Sequence, residues 1–175
     1  MKSQFNVICA CTLVASIQFA HSAKAELLEA NDPHHGTGSL TIDTEANLAW
    51  LDLNVTDGAG SYDQISLEFG VGGTYEGFRY ATEQEVLAFL NHAGIPNLPT
   101  AGTLQEPSTA ANFAPISVLQ SMIGTTSTSL SLGVTSTPSN HFGGGHLVTV
   151  YAYLTGTNGK VGLSATTPDT NNFAS

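Results

Sequence analysis

Gly72-Gly-Thr-Tyr-Glu-Gly-Phe-Arg-Tyr-Ala-Thr-Glu-Gln-Glu85 joins a glycine-rich loop, a short aromatic segment and a helix start. Val71 to Gly77 reads as loop, because its glycines allow φ > 0 or a close backbone approach. Phe78-Arg79-Tyr80 reads as a short extended segment. Thr82-Glu-Gln-Glu85 is a capping box: the Thr82 hydroxyl can accept from the Glu85 N–H, and the Glu85 side chain can reach back. Val86, Phe89, Leu90 and Ala93 follow at helical spacing. Gly94 ends the helix, and Pro96 and Pro99 prevent its return.

The same logic extends in both directions. Upstream, Ser61-Tyr-Asp-Gln64 is a second capping box, with Tyr62, Ile65 and Phe69 on one helical face and Gly70 as the stop. Ser39 to Thr44 alternates apolar and polar residues as a half-buried strand does. Glu45-Ala-Asn47 makes a turn, Leu48 to Leu53 reads as a second strand carrying Trp50 as a core anchor, and Asn54 to Gly60 reads as loop. Downstream, Pro115 suits the first turn of a third helix bearing Ile116, Leu119, Met122 and Ile123, ended by Gly124. Thr125 to Asn140 is Thr/Ser-rich and reads as a weak strand within a long loop. Leu147 to Leu154 and Val161 to Thr166 form a hairpin, with Asn158-Gly159 placed at its turn. The fold class expected is α+β: one antiparallel sheet from the N- and C-terminal hairpins, with two or three short helices on one face.

The first 25 residues read as a secretory signal peptide: Lys2, an apolar run from Phe5 to Ala20, and the small-x-small site Ala23-Lys24-Ala25. The apolar run is too short for a comfortable membrane span. Cys9 and Cys11 both fall inside it, so residues 26–175 contain no cysteine and no disulfide. The organisation expected is a signal peptide over 1–25, a flexible arm over 26–38, a single domain over 39–167 and a polar tail over 168–175. No transmembrane segment is expected after signal removal.

All fourteen acidic residues follow Ala25, where only Arg79 and Lys160 are cationic, a formal charge of −12 for residues 26–175. Nucleic-acid binding needs clustered Lys and Arg to displace phosphate counterions, and there is no cluster. Anionic membranes and sulfated glycans are disfavoured for the same reason.

The runs Asn47-Leu-Ala-Trp-Leu-Asp-Leu53, Ser61-Tyr62 and Gly77-Phe-Arg-Tyr-Ala-Thr-Glu-Gln-Glu-Val86 resemble a group of exported proteobacterial proteins of the PEP-CTERM-associated type. There, a Gly-Leu-x-Trp-Leu-Asp-Leu segment precedes a Gly-Trp/Phe-Arg-Tyr-Ala-Thr-x-x-Glu-Val segment. The resemblance covers residues 40–94. It does not extend to the sorting signal of that group, whose apolar helix and basic cluster have no counterpart here. It implies a secreted, periplasmic or cell-surface protein of a Gram-negative bacterium, within the extracellular matrix of a biofilm. The segment Gly77 to Glu85 is also similar to one in C-type-lectin-like surface domains, which implies a lectin-like layout.

Candidate chemistry follows from residue types. Tyr75, Phe78, Arg79 and Tyr80 are the candidate ligand-binding residues, since aromatics beside glycine-rich loops suit neutral sugars. Tyr151 and Tyr153 are further members of such a platform. Arg79 could clamp a ligand carboxylate, although an ion pair with Glu76, Glu83, Glu85 or Asp52 is preferred, on the view that a buried arginine must be paired. Asp52, Asn54, Asp57 and Asp63 offer oxygen ligands suited to calcium, but Asp57 and Gly58 fall one place late for an EF-hand. Turn formation by Asx residues competes with that reading. His34, His35, His141 and His146 could assemble a zinc or copper site if their loops meet. Glu83 and Glu85 point to different helix faces and favour the helix N-terminus rather than acid–base catalysis. No nucleophile elbow or P-loop is present. The expectation is a non-catalytic protein that binds extracellular polysaccharide or matrix proteins and requires no cofactor, with calcium the candidate ion of the Asp52–Asp63 segment. A purely structural or adhesive role is the rival, and a metal-dependent hydrolase the third reading.

Overall fold

Both capping boxes form. Thr82 accepts from Glu85 N–H at 3.2 Å, Glu85 Oε2 accepts from Thr82 N–H at 2.8 Å, and α3 runs over Glu83–His92. Ser61 and Gln64 repeat the arrangement at the start of α2, Tyr62–Leu67. The computed structural model that carries these elements describes residues 26–56, 58–125, 130–139 and 146–166. The signal peptide expected over 1–25, Asp57, His141 and the tail expected over 168–175 lie outside the described residues.

The chain opens with β1 (Leu27–Asp32), β2 (Gly36–Asp43) and β3 (Leu48–Leu51), an antiparallel sheet in that order. Residues 26–38, expected as a flexible arm, are therefore mostly strand. The turn between β1 and β2 is organised by Asp32, whose Oδ1 accepts the N–H groups of His34 and His35 at 2.8 and 3.0 Å. This is Asx-turn chemistry, and it converts a polar, proline-containing stretch into a hairpin. The expected Leu48–Leu53 strand stops at Leu51, and a single turn of helix, α1 (Leu53–Thr56), occupies part of the expected loop.

A second antiparallel sheet has the order β4-β7-β6-β5, from β4 (Ser108–Thr109), β5 (Leu130–Pro138), β6 (Leu147–Thr155) and β7 (Asn158–Thr166). The fold is α+β, but the N- and C-terminal hairpins lie in different sheets rather than one. The Thr/Ser-rich tract supplies β5, a full edge strand of nine residues. The β6–β7 turn also sits two residues earlier than expected, on Gly156-Thr157, with Thr155 opposite Asn158. Gly156 has φ +56°, as the first loop position of a type II′ turn requires. Gly159 then belongs to β7. A Cβ there would stand 2.6 Å from the carbonyl carbon and oxygen of Asn112, so it is the close approach of the 3₁₀ turn Ala110–Asn112 that demands glycine.

α4 (Phe113–Ile123) carries Pro115 in its first turn and buries Ile116, Leu119 and Ile123. These pack with Val86, Phe89, Leu90 and Ile95 and with Val148, Val150, Ala152, Val161 and Leu163 of β6 and β7 in the main core. Gly94 (φ +82°) turns the chain after α3, and Ile95 N–H returns to Leu90 O at 3.2 Å with its side chain fully buried. A smaller cluster centres on Ile65 and Tyr75, with Leu51, Val55, Phe69, Phe78 and Tyr80 around it.

β2 departs from its simple alternation. Thr41 and Asp43, on the face that reads as solvent-facing, are completely buried, whereas Ile42 is half-buried. The buried polar face is satisfied internally, as burial of polar groups demands. Thr41 Oγ1 donates to Asp52 Oδ1 at 2.9 Å. Asp43 accepts from Glu45 and Ala46 N–H, each at 3.1 Å, and its Oδ2 lies 2.7 Å from His92 Nδ1 at the end of α3.

Candidate functional site

Beside β3, α2 and the 75–81 segment come together, and a cleft of about 540 Å³ opens there. Asn47 to Leu51 and Tyr75 to Ala81 line it, together with Ile65 of α2, Phe69 just beyond that helix, Glu85 and Thr135. That volume lies within the range of small-ligand sites. Tyr75, Phe78, Arg79 and Tyr80 all line it.

These four residues differ in what they can offer. Tyr75 is buried, and its ring stacks on the His35 imidazole at 5.5 Å with an interplanar angle of 4°. Phe78 meets the same imidazole edge-on at 5.9 Å. The β1–β2 turn therefore braces the aromatic wall, with His35 Nδ1 held by Asp32 Oδ1 at 2.9 Å. Tyr80 stacks on Tyr62 at 4.1 Å, meets Phe69 edge-on at 5.0 Å and donates from its hydroxyl to Tyr62 O at 3.0 Å. Burial pushes its phenol well above the ordinary tyrosine range, so Tyr80 stays neutral.

Arg79 makes the ion pair that its sequence context favours, and the partner is Glu85. Its two terminal nitrogens reach the two Glu85 carboxylate oxygens at 2.9 and 2.6 Å, and one of them also donates to Tyr80 O at 3.0 Å. The reason expected for the pair, burial, does not hold: the Arg79 side chain is 59% exposed. The Arg79 hydrogen bonds, and after them the Thr82 N–H, hold the Glu85 carboxyl down at about 2. The pair thus presents a neutralised, forked hydrogen-bonding group at the cleft rim.

The other sequence candidates are dispersed. Asp52 is buried against Thr41, and that burial, opposed by the Thr41 hydrogen bond, raises its carboxyl to about 6. Asp63 is exposed in the first turn of α2, Asn54 is exposed on α1, and Asp57 lies outside the described residues. His34 is exposed and His35 is committed to Asp32. Among the described residues no three His, Cys, Asp or Glu side chains gather as a metal site would need. Tyr151 and Tyr153 are not in the cleft. They stack at 6.0 Å on β6, where Lys160, ion-paired with Glu106 at 2.6 Å, lies over the Tyr153 ring. Tyr151 also packs over Gly162 of β7 and donates to Glu106.

Trp50, Phe69 and Thr135 are among the cleft residues that had no functional reading in the sequence. Trp50 was legible as a core anchor, and it does pack on Phe89 at 4.5 Å, but it also lines the cleft. Its indole N–H is enclosed and makes no hydrogen bond among the described residues. Phe69 was legible as a helix-face residue only. Thr135 came from a tract without any signal beyond its composition. Among the described residues no helix is long and apolar enough to cross a membrane. Set against family models, curated proteins and solved structures, the chain matches none.

Proposed function

We propose that this is an exported, non-catalytic cell-surface or extracellular-matrix protein that holds a neutral glycan in the aromatic cleft. The observation that carries the reading is the pairing of Arg79 with Glu85: the single cation at an aromatic-walled cleft is already neutralised. Asp32 and Glu76 line the same cleft, so anionic ligands are repelled while an uncharged, ring-shaped ligand meets aromatic surface. The export signal and the two segments shared with matrix-associated proteobacterial proteins support the location, and the lectin-like likeness of Gly77 to Glu85 supports the ligand class.

Trp50 is the sole tryptophan and lies in the cleft wall, so its fluorescence reports occupancy directly. Titration of the purified protein with neutral oligosaccharides is expected to shift Trp50 emission saturably. Acidic oligosaccharides are expected to leave it unchanged. The response should be equal in calcium and in EDTA, since the cleft rather than the Asp52–Asp63 segment is the site. A silent titration of demonstrably folded protein sinks the glycan reading and leaves the structural or adhesive role.

A further inference from the structure

A cavity that faces one side of a strand is lined by alternate residues, because successive side chains point to opposite faces. Here Asn47, Leu48, Ala49, Trp50 and Leu51 all line the cleft, so the cleft runs along the edge of β3. That edge is open, since β3 pairs with β2 alone.

The register identifies the groups on it. Asp52 N–H donates to Ser39 O at 2.9 Å, continuing the pairing of Leu51 with Leu40 by one step. Pairs that exchange hydrogen bonds alternate with pairs that do not in an antiparallel ladder. Trp50–Thr41 and Leu48–Asp43 are therefore the bonded pairs, and the N–H and C=O groups of Ala49 and Leu51 point away from β2. No turn, loop or inter-element backbone bond among the described residues uses them. The charged side chains around the cleft are, by contrast, already engaged, and the Trp50 indole N–H is enclosed. Arg79 and Glu85 hold each other, Asp32 accepts from His34 and His35, Glu76 accepts from Gly72, and the Tyr80 hydroxyl donates to Tyr62.

Resting on the glycan reading of the cleft, we infer that the open-edge N–H and C=O groups of Ala49 and Leu51 are the polar recognition elements of the site, taking ligand hydroxyls while the aromatic wall takes the ring face. A hydroxyl both donates and accepts, which matches an alternating N–H and C=O row. An extended polypeptide is the poorer occupant. The turn at Asn47 (φ +53°) and the start of α1 at Leu53 leave only two outward-facing residues, too few for a useful added strand.

The test is Ala49→Pro. Proline removes the outward N–H and costs no bond to β2, and it is tolerated on edge strands for that reason. Glycan binding, read by Trp50 emission, is expected to weaken about tenfold, the equivalent of one well-made hydrogen bond. The denaturation midpoint is expected to stay at the parent value. If the proline variant does not fold, the α-hydroxy-acid analogue of alanine at position 49 removes the same N–H without changing the side chain. Parent-like affinity in the folded position-49 variant overturns the inference while leaving the glycan reading intact. Failure of the parent itself to bind neutral glycan overturns that reading, and this inference with it. Binding of extended peptides in place of glycans overturns the assigned occupant.

Discussion

Asp52 shows how little of a residue's role is visible in its type. In the sequence it belongs to an acidic, calcium-like run; in the structure its carboxyl sits in the interior and accepts from Thr41. Its carboxyl is raised to about 6 from an ordinary value near 3.8, so the native state binds its proton more tightly than the unfolded chain does. The stability associated with that proton is present below pH 4 and is lost as pH rises through 6. Asp52→Asn keeps an oxygen for Thr41 and cannot ionise. The variant is expected to be more stable than the parent at pH 7.5, by on the order of 2 kcal/mol, and to converge with it near pH 4. Urea denaturation across that range checks this, and parallel stability curves for the two proteins exclude it. Arg79 teaches the complementary lesson. Its pairing was legible because the chain around it is acidic, but which of four carboxylates it would choose was not.

At the scale of elements, local chemistry was a good guide wherever a cap was involved. The Ser61 and Thr82 boxes, the glycine stops at Gly94 and Gly124 and the proline in the first turn of α4 all involve residues within a few positions of one another. Their hydrogen bonds hardly depend on the rest of the fold. Thr82→Ala is expected to cost about 1 kcal/mol, measurable by thermal or urea denaturation. Glu85 contributes here too. Because its carboxyl is held near 2, its share of stability is present above about pH 4.5 and is lost as pH falls towards 2. Glu85→Gln should flatten that acid limb, and an unchanged limb argues against the Arg79–Glu85 bond as a stabilising contact. The exposure of Arg79 keeps the effect small. The elements read least well were those made by distant partners. β1 depends on pairing with β2, and β5 on pairing with β6. Gly159 looked like a turn residue because the Asn-Gly pair favours turns. The turn went instead to Gly156, since only a glycine at position 159 lets the 3₁₀ turn pack against β7.

Across the whole molecule, the two sheets are tied through the helices. The Asp43–His92 contact links β2 to the end of α3, which packs in turn on the second sheet's core. His92→Ala removes a partner from a completely buried carboxylate, and a loss of roughly 1–3 kcal/mol is expected. Hydrogen exchange should accelerate first in β1–β3. Exchange that accelerates uniformly over both sheets contradicts a localised link. By itself, the sequence determined the α+β class, the capped helices, the β2–β3 and C-terminal hairpins and the aromatic residues of the central stretch. It also determined the absence of any cationic surface. Each of these follows from local hydrogen bonding, short-range periodicity or composition. The tertiary structure alone decided that the hairpins occupy two sheets and that the polar face of β2 is buried. It also decided that Tyr151 and Tyr153 lie away from Tyr75, Phe78 and Tyr80, and that β3 offers an open edge to the cleft. Alternation along a strand separates two faces without saying which one meets the core or which edge stays unpaired. Those choices depend on contacts between residues far apart in the chain, such as Asp43 with His92 and Trp50 with Phe89.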